Sequence, residues 1–273
     1  MAHSDAAHAG AAAPRNAAMD VRRLPVYRSG ELDVPFVIAG THESVVRETL
    51  WENHSHPTHE LLWNDRGAST ATVGTRTWTV TATTGLWIPA GLLHRGRMSA
   101  GTVSRAAQFN VSEAQPLSDR PVAVDITPLL RLLLDRVSEE ALSPRSRATT
   151  EAMILDVLVP SPREVVLRVP SSHRLAPLVA TILERPDDTT TLAQWSIRLN
   201  LSTRTLTRMF HSETGVGYTR WVATVRAQRA IDLLARGEDM HDIATAVGFA
   251  SASSFGAAFR RVTGVNPGAF RDM

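Results

Sequence analysis

The sequence predicts an α+β chain: an antiparallel β-barrel of jelly-roll type, followed by an all-α C-terminal region with two helix-turn-helix units. Three observations predict it. Between about Glu31 and Val111, short Thr-, Val- and Trp-rich runs alternate in period two, as in Ala71–Ala82, separated by Gly and Asn-Asp signals. After Pro121 the periodicity turns helical and, past one proline-bounded stretch, stays helical to the end. Near the C-terminus one helix pair is written twice, as LAQWSIRLNLSTRTLTRMFHSETGV from Leu192 and as MHDIATAVGFASASSFGAAFRRVTGV from Met240.

The elements follow in order. Met1 to about Met19 is rich in Ala and His without a continuous apolar core, and residues 1–30 are expected to be a disordered tail. Residues 31–118 carry the barrel. Residues 119–170 hold a Leu-rich helix with Leu129, Leu130, Leu132, Leu133, Leu134 and Val137, then a second amphipathic run from Thr149 to Val159. These two helices are expected to pair subunits into a homodimer. The stretch from Pro160 to Pro170, with Ser161 and Pro162, reads as a linker. Residues 171–273 form the duplicated helical domain.

Within the duplication, Leu192, Trp195 and Ser196 match Met240, Ile243 and Ala244 at an offset of 48 (192 to 240). Leu206, Phe210, Thr214 and Gly215 match Phe255, Phe259, Thr263 and Gly264 at an offset of 49 (210 to 259). The extra residue falls at the turn, where a length change disturbs packing least. Asn200-Leu201 make the first turn and Ser202 is a natural N-cap for the helix that follows. On that helix Leu206, Met209 and Phe210 share the inward face, and Arg204, Thr207, Arg208 and His211 the outward one. In the second copy Gly248-Phe249 turn the chain, Ser251 or Ser253 caps, and Phe255 and Phe259 face in. Ser253 and Ser254 are left in front, with Arg260 and Arg261 a turn further on, placed for phosphates. Arg220 to Ala235 has the length and stripe of a connecting helix.

Composition excludes several classes. There is no cysteine, which removes disulfides, Cys-ligated zinc and thiol catalysis. No apolar run approaches the length of a bilayer span, so a cytoplasmic location is expected. The net charge of +2 is too small to argue for nucleic acid, though from Ser171 onward twelve Arg stand against nine acids. Every basic residue other than His is Arg.

The region from about Ser171 to Arg271 resembles the AraC/XylS transcriptional regulators. The residues that carry the likeness are RTLTRMF, ETG, the RAIDLLARG connector, IATAVGFASASSFGAAFRRVTG and Pro267. The resemblance implies a sequence-specific regulator that binds double-stranded DNA, with Arg204, Thr207 and Arg208 in copy one and Ser253 and Ser254 in copy two on the DNA face. Ala257 stands where many relatives place a longer polar residue, so copy one is expected to carry most base discrimination. Arg204 and Arg208 suit guanine edges, each worth about 1–3 kcal/mol of discrimination.

The N-terminal half holds His54-x-His56-x3-Glu60-x6-Gly67 and, downstream, Gly85-Leu-Trp-Ile-Pro-Ala-Gly-Leu-Leu-His94. This pair of blocks is similar to the cupin family, with Glu48 in place of the leading Gly. The resemblance implies metal ligands at His54, His56, Glu60 and His94, an N/O set suited to divalent iron, manganese, nickel or zinc. His59 is expected to be a surface or supporting residue. The combination predicts a one-component sensor of a small molecule or divalent metal, without catalysis of its own. A metal-dependent cupin oxygenase or isomerase fused to a DNA-binding module is the alternative, and an architectural DNA binder a third reading.

Overall fold

The computed structural model describes residues 19–162 and 164–270. Its N-terminal half is a stack of two sheets. One has six strands in the order β1 (Asp20–Arg22), β3 (Thr49–His54), β8 (His94–Met98), β5 (Ser69–Val73), β6 (Arg76–Val80) and β11 (Val166–Arg168). The other has five, β10 (Val122–Asp125), β7 (Thr84–Ile88), β4 (His59–Arg66), β9 (Val103–Phe109) and β2 (Ile38–Ser44). Pairing is antiparallel throughout except for β1 against β3. The expected barrel is therefore not closed. Its ladders end at β1 and β11 on one sheet and at β10 and β2 on the other, so among the described residues no strand pairing joins the sheets around a ring.

Period-two alternation fills the space on both sides of the five-stranded sheet. Leu86 and Ile88 meet Ala71, Trp78 and Val80 of the opposing sheet between the layers. Leu61, Trp63, Trp87 and Phe109 point outward, where two helices cover them. These are α1 (Pro128–Val137) and α2 (Pro144–Val157), which contribute Leu130, Leu133, Leu134, Val137 and Ile154. Thr127 and Ser143 cap them through their side chains, and a proline at the first position of each needs no hydrogen-bond donor.

Two expectations fail here. The tail does not extend to residue 30, because Asp20–Arg22 pair with Thr49–Trp51. Residues 1–18 lie outside the described residues. The proposed linker is also partly a strand: Val166–Arg168 complete the edge of the six-stranded sheet by pairing with β6. Both edges recruit backbone donors and acceptors from short segments of three paired residues each.

The C-terminal half comprises α3 (Ala176–Glu184), α4 (Leu192–Arg198), α5 (Thr203–Thr214), α6 (Tyr218–Ala235), α7 (Met240–Ala246) and α8 (Ala252–Thr263), closed by a 3-10 turn at Pro267–Phe270. Copy one has its own core of Trp195, Leu206, Phe210 and the α6 residues Trp221, Val222 and Val225. Copy two has Ile243, Ala244, Phe255 and Phe259 against Ala230, Ile231, Leu233 and Leu234. One long helix thus serves both cores, its first half buried in one and its second half in the other.

Candidate metal centre and nucleic-acid interface

Glu60 lies on the inward side of β4, in a cavity of about 720 Å³ whose wall includes Leu24, Phe36, Trp51 and Met98. His54 ends β3 and His94 begins β8, directly opposite each other across the ladder, with ring centroids 4.3 Å apart. His56 is not on the strand. It sits in the loop after β3 and folds back, so that ligand atoms of the three histidines lie within 4.8 Å of one another. The Glu60 carboxylate stands 3.4 Å from His56 Nε2 and 3.3 Å from His94 Nε2. All four residues named from the sequence are brought together.

Tautomers follow from the hydrogen bonds. His54 Nδ1 is 2.8 Å from the Glu52 carbonyl and His94 Nδ1 is 2.9 Å from the Leu92 carbonyl, so each Nδ1–H donates to backbone. In their neutral forms the two rings therefore present Nε2 lone pairs to the cluster. Glu60 Oε1 accepts from Gln108 Nε2 at 2.8 Å, while Oε2 is buried and has no hydrogen-bond donor. A second proton on His94, 3.3 Å away, or a cation would supply what Oε2 lacks. This is a donor set that fits a divalent ion, oriented by backbone carbonyls and an amide as ligating side chains usually are.

Without a cation, the charges of the cluster are balanced among its own members. Burial by itself raises the Glu60 carboxyl, but His94, His56 and His54 outweigh it and hold it below the usual carboxylate range. Burial lowers His94, yet Glu60 overcomes this and leaves it above the usual imidazole range. His54 falls below that range through burial and its two neighbouring histidines.

His59 is a different case. It is buried rather than on the surface, stacks on Trp87 at 5.2 Å and accepts the Ala90 amide at Nδ1. As the residue before Glu60 it faces the opposite side of β4 and cannot join the cluster. Sequence reasoning missed Gln108 and Thr58, whose hydroxyl donates to Gln108 and so helps orient Glu60. Gln108 is register partner to Glu60 on β9, and a polar side chain set between Ala107 and Phe109 was the available signal.

In the helical half, α5 is capped as expected. Ser202 Oγ accepts from the Thr205 amide at 3.1 Å, and Gly215 closes the helix in the left-handed region. Leu206 and Phe210 are buried, whereas Arg204, Thr207, Arg208 and His211 are exposed on the other face. In copy two Ser251, not Ser253, is the cap, accepting from the Ser254 amide at 3.2 Å. Ser253, Ser254 and Arg260 are exposed. Arg261 is exposed too, but it lines a cleft between the two halves of the molecule.

Two family models match this chain. Residues 39–154 match an AraC-like ligand binding domain and residues 195–273 a helix-turn-helix domain, which together cover more than half of the chain. The chain is an AraC-family transcriptional regulator. It is 25% identical over 221 residues to the HTH-type transcriptional regulator NimR of Escherichia coli, covering 80% of this chain and 81% of that one. To the HTH-type transcriptional regulator RipA of Corynebacterium glutamicum it is 29% identical over 220 residues, covering 77% of this chain and 61% of RipA. Among solved structures, the DNA-binding domain of AdpA in complex with a target DNA is 33% identical over 37% of this chain and 92% of that domain, with a TM-score of 0.34. This AraC-family chain thus joins a ligand-binding half to a DNA-binding half. Among the described residues no helix is long and apolar enough to cross a membrane.

Proposed function

We propose that this regulator is a one-component cytoplasmic sensor in which His54, His56, Glu60 and His94 hold a divalent iron, manganese, nickel or zinc ion. The observation that carries the reading is the buried Glu60 Oε2, without a donor, facing Nε2 lone pairs whose tautomers are set by backbone carbonyls. A bound cation would supply positive charge and coordination positions for an oxygen donor of a small effector. Gln108 and Thr58 hold the carboxylate in place, and Phe36, Trp51 and Met98 form an apolar wall beside it. The output requires no bond to break, so the protein acts by binding and not as an enzyme.

On the DNA side, Arg204 and Arg208 read base edges, with Thr207 and His211 beside them. Ser253 and Ser254 approach from copy two, and Arg260 meets phosphate. Exposed Leu129, Leu132 and Met153 on α1 and α2 support pairing of two subunits through those helices.

Calorimetric titration of the full chain with Fe(II), Mn(II), Ni(II) and Zn(II), against a His54→Ala/His94→Ala double variant, tests the centre. Binding by the wild type and its loss in the variant are expected; equal metal in both removes the centre. The DNA face is tested with Arg204→Ala/Arg208→Ala on promoter fragments selected by the wild type. Each lost guanidinium is expected to cost roughly tenfold in affinity, and an unchanged affinity at physiological salt would overturn the assignment.

A further inference from the structure

The two helix-turn-helix cores are separate clusters that share α6, and the hand-over falls at one residue. Val225 is buried in the core of copy one and Ala227 in that of copy two. Arg226 stands between them, half-buried and in neither apolar cluster. Its Nε donates to the Pro186 carbonyl at 2.8 Å and its Nη2 to the Asp188 carbonyl at 3.1 Å. Both carbonyls belong to the loop that leads from α3 into α4, the entry to copy one. Its guanidinium carbon also lies 5.4 Å from the centre of the Phe249 ring, in the turn between α7 and α8. Phe249 packs against the core of copy two, its ring centroid 5.9 Å from that of Phe255. One side chain thus holds the backbone entering copy one and an aromatic ring in the turn of copy two.

Such a tie matters because α6 sets a distance but not an angle. Its 18 residues span roughly 27 Å and fix how far apart the two units stand. Each unit docks on it through apolar contacts, which have no preferred direction. Two helices that enter successive turns of a major groove must also keep their relative orientation. Hydrogen bonds to carbonyls and a cation over a ring are directional, and the planar guanidinium fork supplies both from one side chain. The packing around it leaves little slack, since a Cβ on Gly248 would come within 2.9 Å of Arg226 Nη2. We propose that Arg226 is a positioning residue that sets the angle between α5 and α8, and with it the spacing of the two DNA segments this protein accepts. The inference rests on the DNA faces proposed above, although the angle itself is measurable without DNA.

The chain has no cysteine, so Ser212→Cys on α5 and Ala257→Cys on α8, both at exposed positions, are the sole attachment points for a pair of nitroxide labels. Pulsed electron-spin distance measurement on the full chain, without DNA, is expected to give one narrow distribution. Arg226→Met keeps an apolar stem but removes the donors, and is expected to broaden that distribution about twofold, with Arg226→Lys in between. On DNA, fragments selected by the wild type are remade with one base pair added or removed between the two contacted segments. Wild-type affinity is expected to fall roughly tenfold on the respaced fragments, and that ratio to shrink to about threefold or less in Arg226→Met. The ratio compares two DNAs on one protein, so a smaller folded fraction cancels from it. An unchanged distance distribution in Arg226→Met overturns the proposal, as does an unchanged spacing ratio or a wild type indifferent to spacing. If Arg226→Met does not fold, Phe249→Leu carries the same two readouts, and unchanged values in it overturn the proposal equally. Failure of the DNA face shows elsewhere, as unchanged affinity in Arg204→Ala/Arg208→Ala, and leaves the distance measurement unaffected.

Discussion

Glu60 and His59 are chain neighbours with opposite fates, and the reason is the pleat. One points between the sheets into a cluster of imidazoles, the other outward to stack on Trp87. Asp188 shows the same dependence on immediate surroundings. Its carboxylate accepts the Thr190 amide at 2.8 Å in the turn before α4 and stands 3.3 Å from Arg185. Burial raises its pKa, but the Thr190 hydrogen bonds and Arg185 outweigh this and leave it depressed. A depressed folded value means the carboxylate contributes stability above the unfolded pKa, 3.8, and loses it as pH falls through the folded one. Asp188→Asn is expected to cost about 1 kcal/mol at neutral pH. In urea unfolding, the gap from wild type should hold steady down to about pH 5 and narrow only below the unfolded value. A gap that instead widens in acid would show that the carboxylate is not what stabilises the turn.

At the scale of elements, each helix pair depends on a cap and a turn as well as on its apolar stripe. Gly248 makes the turn of copy two at φ 78°, and a Cβ there would come within 2.9 Å of the Asp187 Cα. Asp187 belongs to the loop ahead of α4, so this turn is also where copy two meets the segment leading into copy one. Gly237 has nearly the same φ, 77°, but open space around it. Gly248→Ala is therefore expected to lose clearly more stability than Gly237→Ala, which bears only the conformational cost of roughly 1 kcal/mol. Thermal unfolding of the two variants side by side decides it, and equal losses would remove the steric argument. The Ser202 cap was legible in the sequence, whereas in copy two the structure chose Ser251 over Ser253. Ser202 and Ser251 are each followed three residues later by the amide they satisfy.

Across the whole molecule, β11 is the joint. Its backbone extends the sensor sheet, Val166 packs towards the sensor core, and Leu167, on the other side of the strand, is buried in the core of copy one. Trp221 Nε1 donates to the Arg168 carbonyl at 2.7 Å, and Gln228 reaches the Thr77 carbonyl at 3.3 Å from α6. Ser99 also donates to Asp232. The ligand-binding half thus touches α6 directly, and α6 holds both helix-turn-helix cores. Leu167→Ala is expected to destabilise the helical half by about 2–4 kcal/mol and to speed proteolysis between residues 159 and 170. Unchanged cleavage there would show that the halves are coupled by other contacts.

The four residues of the histidine cluster were legible through the resemblance of their blocks to a known family, whereas the amino-acid order alone determined the duplicated helix pairs, the outward arginines of α5 and the β-rich first half. Each is written in a local period or a short spacing, because the face on which a side chain emerges is set by the backbone repeat of its own element. Folding in three dimensions decided that His56 joins the cluster from a loop, that Gln108 supports Glu60, that a proline-bounded connector is an edge strand, and that arginines scattered from Arg76 to Arg261 share one cleft. Those outcomes arise from backbone edges pairing and from side chains far apart in the chain meeting. Hydrogen-bonding groups common to every residue leave no pattern in the sequence to announce such meetings.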